Sequence, residues 1–314
     1  MKHALLLAAV SLASLWAAGA AAAPDRAIWT WERESYAMVG DAGVTREALR
    51  FLRSKGIRTV YLYADAYRGR SLIERQPELY REFLARVHRR NMRAHALLGS
   101  YYQHTEEYAL PEKRAEVLHM LQGVLAYNTT AAPNERFDGI SLDIEPHMLK
   151  QWGQRRTELL HEFLDLGQAL MALKRDSGQD LPIGAAIPFW FDGIMLDWNG
   201  RERPVSEHVL DLYDYVVLMD YRDHAQGPDG IIAHAASELA YARDHGRTVV
   251  VGVEVTRNEV KKVTFSHRTE TELERELKLA ERAFRRNPAF GGFALHHYRS
   301  YRLWLEQQAP AGPR

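Results

Sequence analysis

The chain has 314 residues, 46% of them hydrophobic and 26% charged, a composition typical of a globular protein with room for one large domain. Lysine plus arginine and aspartate plus glutamate both total 41, so no overall field would attract nucleic acid or an anionic membrane. The chain has no cysteine, which excludes disulfide bonds and lipid attachment through an N-terminal cysteine.

Residues 1–23, MKHALLLAAVSLASLWAAGAAAA, have the pattern of an export signal. A lysine near the start precedes an apolar run that ends near Trp16, and small residues suited to signal peptidase follow. The strongly apolar part is shorter than the ~20 residues that a membrane-spanning helix needs. We therefore expect cleavage between Ala20 and Ala23, giving a secreted or periplasmic protein that does not stay in the membrane.

Short apolar segments typical of strands alternate with helical segments along the rest of the chain. The strand-like segments are AIWTW (27–31), IRTVYLYAD (57–65), MRAHALLGS (92–100), FDGISLDIE (137–145), LPIGAAIPF (181–189), YDYVVLMDY (213–221), RTVVVGVEV (247–255) and FGGFALHHY (290–298). Segments with apolar residues at helical spacing lie at 45–56, 77–91, 112–127, 156–176, 236–246 and 271–287. Eight strands alternating with helices over this length predict an α/β fold, a single (β/α)₈ TIM barrel.

An open doubly wound sheet is the alternative fold. It would usually carry a glycine-rich phosphate-binding turn after its first strand, and AIWTWERESYAMVG has none. No linker, low-complexity stretch or tandem repeat calls for a second domain. We expect one glycosidase-like barrel domain at residues 24–308 and a flexible tail at 309–314.

Acidic residues occur on the fourth predicted strand, FDGISLDIE, which is otherwise apolar. Side chains alternate inward and outward along barrel strands, and active sites form at the C-terminal strand ends. Ser141, Asp143 and Glu145 share the inward parity. Two ionised carboxylates this close in a confined interior repel each other and favour a shared proton. The pattern predicts a general acid, with an internal salt bridge as the structural alternative.

The fourth strand also carries a family signature. DGISLDIE resembles the DGxDxDxE motif of glycoside hydrolase family 18, the chitinases and endo-β-N-acetylglucosaminidases, which are (β/α)₈ barrels. Asp138, Gly139, Asp143 and Glu145 match the motif, and Ser141 stands where the family has its first inner aspartate. The resemblance implies that Asp138 belongs to the catalytic group with Asp143 and Glu145.

A second segment, LMDYRD on the sixth predicted strand, resembles the MxYD motif of the same family. Met219 and Tyr221 agree with it, and Arg222 replaces the aspartate, for which Asp220 or Asp223 would have to compensate. The family usually places a tryptophan under the reacting sugar at the end of strand eight, where this chain has two histidines.

The resemblance implies a substrate-assisted mechanism. Glu145 would protonate the leaving glycosidic oxygen, and Asp143 would orient the 2-acetamido group of the substrate as that group attacks the anomeric carbon. Tyr221 would hydrogen-bond the same acetamido group. The implied substrate is a polysaccharide or glycan that contains N-acetylhexosamine.

A rival pair of carboxylates includes Glu254, an acidic residue in the apolar seventh strand. Many retaining glycosidases with this architecture resemble such an arrangement, with an acid/base glutamate ending strand four and a nucleophilic glutamate ending strand seven. If Glu145 and Glu254 were about 5–5.5 Å apart, a covalent double displacement on a non-acetylated glycan would follow. A structural ion pair between Glu254 and an arginine is the alternative.

Aromatic and polar residues near the predicted C-terminal strand ends suggest a carbohydrate cleft, because aromatic faces stack on sugar rings. The candidate substrate-binding residues are Trp31, Tyr63, Ser141, Trp190, Met219, Asp220, His296 and His297. Histidines at the same ends would allow a metal site, but the chain has no HExxH and no HxH on an early strand. We expect no metal and no cofactor.

Two classes of function fit these patterns. One is an exported glycoside hydrolase that acts, as a monomer, on an N-acetylhexosamine polymer. The other is a carbohydrate-binding barrel without catalysis, which the serine at 141 and the arginine at 222 favour. The glutamate at 145 favours the enzyme.

Overall fold

The computed structural model describes residues 25–308. The expected export signal and the expected tail both lie outside these residues. No helix within residues 25–308 is long and apolar enough to cross a membrane.

Parallel strands close into a barrel. They are β1 (Asp25–Thr30), β2 (Thr59–Tyr63), β3 (Arg93–Leu98), β4 (Gly139–Leu142), β5 (Ile183–Pro188), β8 (Tyr215–Met219), β9 (Thr248–Glu254) and β10 (Phe290–His296), and a hairpin of β6 (Met195–Trp198) and β7 (Arg201–Pro204) is inserted after β5. The barrel strands follow one another in chain order, and β10 pairs with β1. The predicted single (β/α)₈ barrel is confirmed, and each of the eight predicted segments overlaps one barrel strand.

Helices follow the strands and cover the barrel. They are α1 (Glu32–Gly40), α2 (Ala42–Ser54), α3 (Leu72–Arg75), α4 (Pro77–His88), α5 (Arg114–Thr130), α6 (Trp152–Ser177), α7 (Val205–Leu212), α8 (Ile231–His234), α9 (Ala236–Asp244), α10 (Glu270–Phe284) and α11 (Tyr298–Gln308). Each predicted helical segment overlaps one of them. Helix α10 begins with a capping box, in which Thr269 and Glu272 satisfy each other's backbone amides.

The alternation of side chains along β4 produces two environments. Ile140, Leu142 and Ile144 face outward and pack with the helices in the main hydrophobic core. Burying each such side chain contributes about 2 kcal/mol relative to leaving it in water. The inward positions therefore carry the polar residues of this strand, as the sequence predicts.

The lower part of the barrel interior is filled by a neutral polar network. His95 Nδ1 lies 2.8 Å from the Tyr215 hydroxyl, which donates a 2.7 Å hydrogen bond to the Ile140 carbonyl. Burial lowers the pKa of His95 to about 4, so its imidazole is neutral at pH 7. The middle of the barrel interior therefore carries no charge at this point.

Candidate active site

A cavity of about 430 Å³ opens at the C-terminal ends of the barrel strands. Its walls are formed by Trp29, Trp31, Tyr102, Asp143, Glu145, Met148, Met219, Tyr221, Glu254, Asn258, Val263 and His296. It combines aromatic rings with three carboxylates, a composition suited to a ligand with apolar faces and polar edges.

The end of β4 supplies two of these carboxylates. The Asp143 amide donates a 2.8 Å hydrogen bond to the Leu98 carbonyl, which holds the segment after β4 against β3. Asp143 is buried, and Glu145 Oε2 lies 3.2 Å from His147 Nε2. Burial and then repulsion from Glu145 and Glu32 raise the pKa of Asp143 well above its usual range. Asp143 therefore holds its proton to a higher pH than an isolated aspartate does.

The end of β9 supplies the third carboxylate in a different setting. Glu254 Oε1 accepts a 2.5 Å hydrogen bond from the Thr256 amide, and Oε2 lies 2.7 Å from His296 Nδ1. The Trp31 indole donates a 3.2 Å bond to His296 Nε2, so Nδ1 carries the proton and donates to Glu254. Burial raises the pKa of Glu254, but His296 and the Thr256 amide outweigh it, and the net shift is downward.

Two residues of LMDYRD, at the end of β8, also line the cavity. The Tyr221 ring lies 5.8 Å from the His296 ring, and Met219 forms part of the wall. Burial, then the charges of Glu254, Glu145 and Asp143, raise the pKa of Tyr221 well above its usual range. Tyr221 is therefore a neutral hydrogen-bond donor at neutral pH.

Asp138 is not brought to the cavity. It lies before β4, at the N-terminal end of the barrel, where its carboxylate accepts a 2.8 Å hydrogen bond from the Ala94 amide and lies 2.9 Å from His88 Nε2. Five residues of extended chain place it about 16 Å from Asp143. The position of Asp138 contradicts its assignment to the catalytic group, because the side chain links β3, β4 and α4 instead.

Several other predicted residues are buried beside the cavity rather than in its wall. Ser141 is fully buried one pleat below Asp143, and the Tyr63 hydroxyl donates a 2.9 Å hydrogen bond to the Ala66 carbonyl. Asp220 is fully buried and lies 3.1 Å from His234 Nδ1. None of the three lines the cavity.

Trp190 and His297 also lie behind the wall. Trp190 packs edge-on against His147, with ring centroids 5.2 Å apart, and so supports the residue that contacts Glu145. His297 Nε2 lies 3.0 Å from the Ser300 hydroxyl. Burial and then His296 lower the pKa of His297 to about 3, which keeps this ring neutral.

Arg222, at the motif aspartate position, and Asp223, which would have to compensate for it, form ion pairs away from the cavity. Arg222 pairs with Asp229 at 2.9 Å, and Asp223 pairs with Arg268 at 2.8 Å. Neither lines the cavity. The MxYD resemblance therefore extends to Met219 and Tyr221 alone.

Sequence reasoning missed several residues around the cavity. Asn258 and Val263 come from the loop after β9, and Met148 from the turn after β4. Glu32, which raises the pKa of Asp143, directly follows Trp31. An acidic residue just after a strand end was the available signal for Glu32, whereas no pattern marks the loop residues. In the described part of the chain, no group of three or more histidine, aspartate or glutamate side chains is placed to hold a metal ion.

Comparison with known proteins gives similarity in structure alone. No family model and no curated protein sequence matches the chain. A variant of the family 18 chitinase from Cycas revoluta, in complex with (GlcNAc)4, superposes with a TM-score of 0.54 and 14% identity, over 88% of this chain and 95% of the chitinase. The fold is that of a family 18-like TIM barrel. A chitinase from Chromobacterium violaceum is also similar, with a TM-score of 0.50 and 12% identity over 92% of this chain and 100% of that one.

A mannosidase shares the same barrel. The exo-β-1,4-mannosidase from Opitutaceae bacterium strain TAV5 superposes with a TM-score of 0.55 and 12% identity, over 87% of this chain. The chain spans 51% of the mannosidase. The TIM-barrel fold is thus shared with chitinases and with a mannosidase, so the fold alone does not decide the function.

Proposed function

We propose that this family 18-like barrel is a glycoside hydrolase that cleaves a glycosidic bond in an N-acetylhexosamine-containing polysaccharide. The observation that carries the proposal is the Asp143–Glu145 pair, which lies at the end of β4 in an aromatic-lined cavity, where burial and the neighbouring carboxylates raise the pKa of Asp143. The similarity to chitinases, one of them bound to N-acetylglucosamine oligomers, supports this sugar class.

The first step breaks the bond between the anomeric carbon and the leaving oxygen. Glu145 transfers its proton to that oxygen, while the acetamido oxygen of the same sugar forms a new bond to the anomeric carbon. Asp143 accepts a hydrogen bond from the acetamido N–H, and Tyr221 donates one to the group. A water molecule then attacks the anomeric carbon, the bond between that carbon and the acetamido oxygen breaks, and the water gives a proton to Glu145, which restores the enzyme.

A second mechanism is favoured by one observation, the ionised Glu254 in the same cavity. A carboxylate there would suit a nucleophile that attacks the anomeric carbon while Glu145 acts as acid and base. Both Glu254 oxygens, however, already accept short hydrogen bonds from Thr256 and His296, which withdraw electron density from them. We therefore assign Glu254 the role of a fixed negative charge facing the reacting sugar.

The setting of the reaction is part of the proposal. The pattern of residues 1–23 supports export, so we place the enzyme outside the cytoplasm, secreted or periplasmic. We further propose that it acts as a monomer, with no metal and no cofactor, since protonation by Glu145 and attack by the acetamido group require neither.

The decisive experiment compares reducing-end release by the wild type and Glu145→Gln. The substrates are chito-oligosaccharides, peptidoglycan glycan, deacetylated glucosamine polymer and neutral glucans. We expect cleavage of acetylated substrates alone, and a loss in kcat of about 1,000-fold in the variant, because an amide cannot protonate the leaving oxygen. Glu202→Gln on the exposed hairpin is the matched control and should retain full activity.

Three other outcomes would contradict the proposed mechanism. Cleavage of non-acetylated sugars by the wild type would transfer the nucleophilic role to Glu254. Binding of sugars without cleavage by the wild type would identify a carbohydrate-binding barrel. Full activity of Glu145→Gln would remove Glu145 from the mechanism.

A further inference from the structure

A fourth carboxylate, Glu32, lies behind the cavity wall and has no part in the mechanism described above. It is the first residue of α1, directly after Trp31, and only 5% of it is exposed. Its Oε1 accepts a hydrogen bond from the Ser100 hydroxyl. Glu32 does not line the cavity, so it acts on the reaction, if at all, through another residue.

The segment that holds Glu32 lies directly on Asp143. Gly99 has a φ of +90°, and a Cβ atom there would lie 2.4 Å from the Asp143 carbonyl oxygen. Only glycine allows this close approach. The next residue is Ser100, whose hydroxyl accepts a 3.1 Å hydrogen bond from the Tyr102 amide while it donates to Glu32. The Glu32 carboxylate is therefore fixed to the same short segment that contacts the Asp143 backbone.

The groups that interact electrostatically with Glu32 and Asp143 are acidic or neutral. They are Glu34 on α1, Tyr63 and Asp65 at the end of β2, Glu145 after β4 and Tyr221 after β8. Two basic rings of the site, His147 and His296, contact Glu145 and Glu254. Burial raises the pKa of Glu32 as it does that of Asp143. Glu32, Asp143 and Glu145 cannot all be ionised in such surroundings at little cost.

We infer that Glu32 is a positioning residue whose buried negative charge keeps a proton on the Asp143–Glu145 pair. Ser141, below Asp143 on the same strand, brings no charge, whereas Glu32 brings a carboxylate from the segment after β1. While Glu32 is charged, the Asp143–Glu145 pair binds its proton more tightly. The proton is then available on Glu145 when the glycosidic bond breaks. The role in catalysis rests on the proposed function, whereas the electrostatic pairing does not.

The first test needs no substrate. The carboxyl carbon of Asp143 is followed by NMR against pH in the wild type, Glu32→Gln and Glu34→Gln. We expect the pKa of Asp143 to fall in Glu32→Gln, because one repelling charge is removed, and to stay close to the wild-type value in Glu34→Gln. An unchanged pKa in a folded Glu32→Gln protein would overturn the inference, as would an equal shift in the Glu34 control.

Ser100→Ala covers the case in which Glu32→Gln fails to fold. Loss of the Ser100 hydrogen bond makes the Glu32 carboxylate harder to ionise, so the pKa of Asp143 should fall in the same direction by a smaller amount. No shift in Ser100→Ala, with Glu32→Gln unfolded, would count against the pairing.

The second test separates this inference from the proposed function. For a substrate cleaved by the wild type, both limbs of the kcat/KM profile should move to lower pH in Glu32→Gln, because the pair releases its proton more easily. A purely structural role would lower activity without moving the limbs. Fixed limbs in an active variant would reject the inference and leave the proposed function standing. An inactive wild type together with a shifted Asp143 pKa in Glu32→Gln would support the inference and reject the proposed function.

Discussion

Two acidic sites face each other across the cavity, and they differ in what surrounds the carboxyl group. At the end of β4, Asp143 is buried beside other carboxylates, which raises its pKa. At the end of β9, Glu254 is partly exposed and accepts hydrogen bonds from His296 and the Thr256 amide, and its pKa is lowered. The same functional group is thus prepared as a proton holder on one side and as an anion on the other.

The origin of this difference lies in which strands meet at each site. The β4 end brings its own carboxylates two residues apart, and the neighbouring β3 end adds a segment that anchors Glu32. The β9 end lies beside β10, which supplies His296, and beyond it β1 supplies Trp31. Donors therefore gather on the β9 side, and acceptors gather on the β4 side.

Replacement of Asp143 by asparagine should lower turnover more than any change at Glu254. The variant cannot share a proton with Glu145 or accept the acetamido N–H in the same way, so kcat should fall by about 100-fold or more on an acetylated substrate. The measurement is initial-rate kinetics at the pH optimum. Asp138→Asn is the matched control, because the same change at the opposite end of β4 should leave kcat unchanged. An equal loss in both variants would show that the effect is structural.

Replacement of Glu254 by glutamine should have a smaller effect. If Glu254 acts as a fixed charge, kcat should fall about fivefold, the rate equivalent of one hydrogen bond of about 1 kcal/mol. Azide should restore nothing. A loss of several thousandfold that azide rescues, with formation of a glycosyl azide, would mean that Glu254 is the nucleophile and that the β9 side performs the chemistry.

The effects of the two replacements on stability should have opposite signs. The pKa of Asp143 is raised in the folded state. The folded state therefore loses stability relative to the unfolded chain once the pH exceeds the pKa of Asp143 in the unfolded chain, near 4. Asp143→Asn should therefore be more stable than the wild type at pH 7, by about 1 kcal/mol. Glu254 has a lowered pKa, so its contribution is present above about pH 4.3 and is lost as the pH falls.

Glu254→Gln should accordingly be less stable than the wild type at pH 7, by about 2 kcal/mol, since two hydrogen bonds to a charged group are weakened. Thermal unfolding of both variants at pH 7 and pH 3.5 provides the measurement. Both differences should shrink at the lower pH. Stability changes of the same sign at pH 7 would contradict the opposed environments of the two sites.

The arrangement of the barrel was accessible from the sequence because it depends on local periodicity. Apolar runs of strand length alternate with helical segments, and parity along β4 separates Ile140 and Leu142 from Asp143. The position of Asp138 was accessible as well, since five residues of strand span most of the barrel height. The hairpin of β6 and β7 was missed, because its strands, MLDW and RERP, carry exposed polar residues and lack an apolar run.

The sequence by itself determined the strand order, the end of the barrel at which Glu145 and Glu254 lie, and the inward direction of Asp143. The tertiary structure alone decided the proton states, because these depend on residues distant in the chain. Trp31 and His296 are 265 positions apart, and Ser100 and Glu32 are 68 apart, yet each pair is hydrogen-bonded. Periodicity shows which way a side chain points, whereas its pKa depends on the donors and charges that closure of the barrel brings around it.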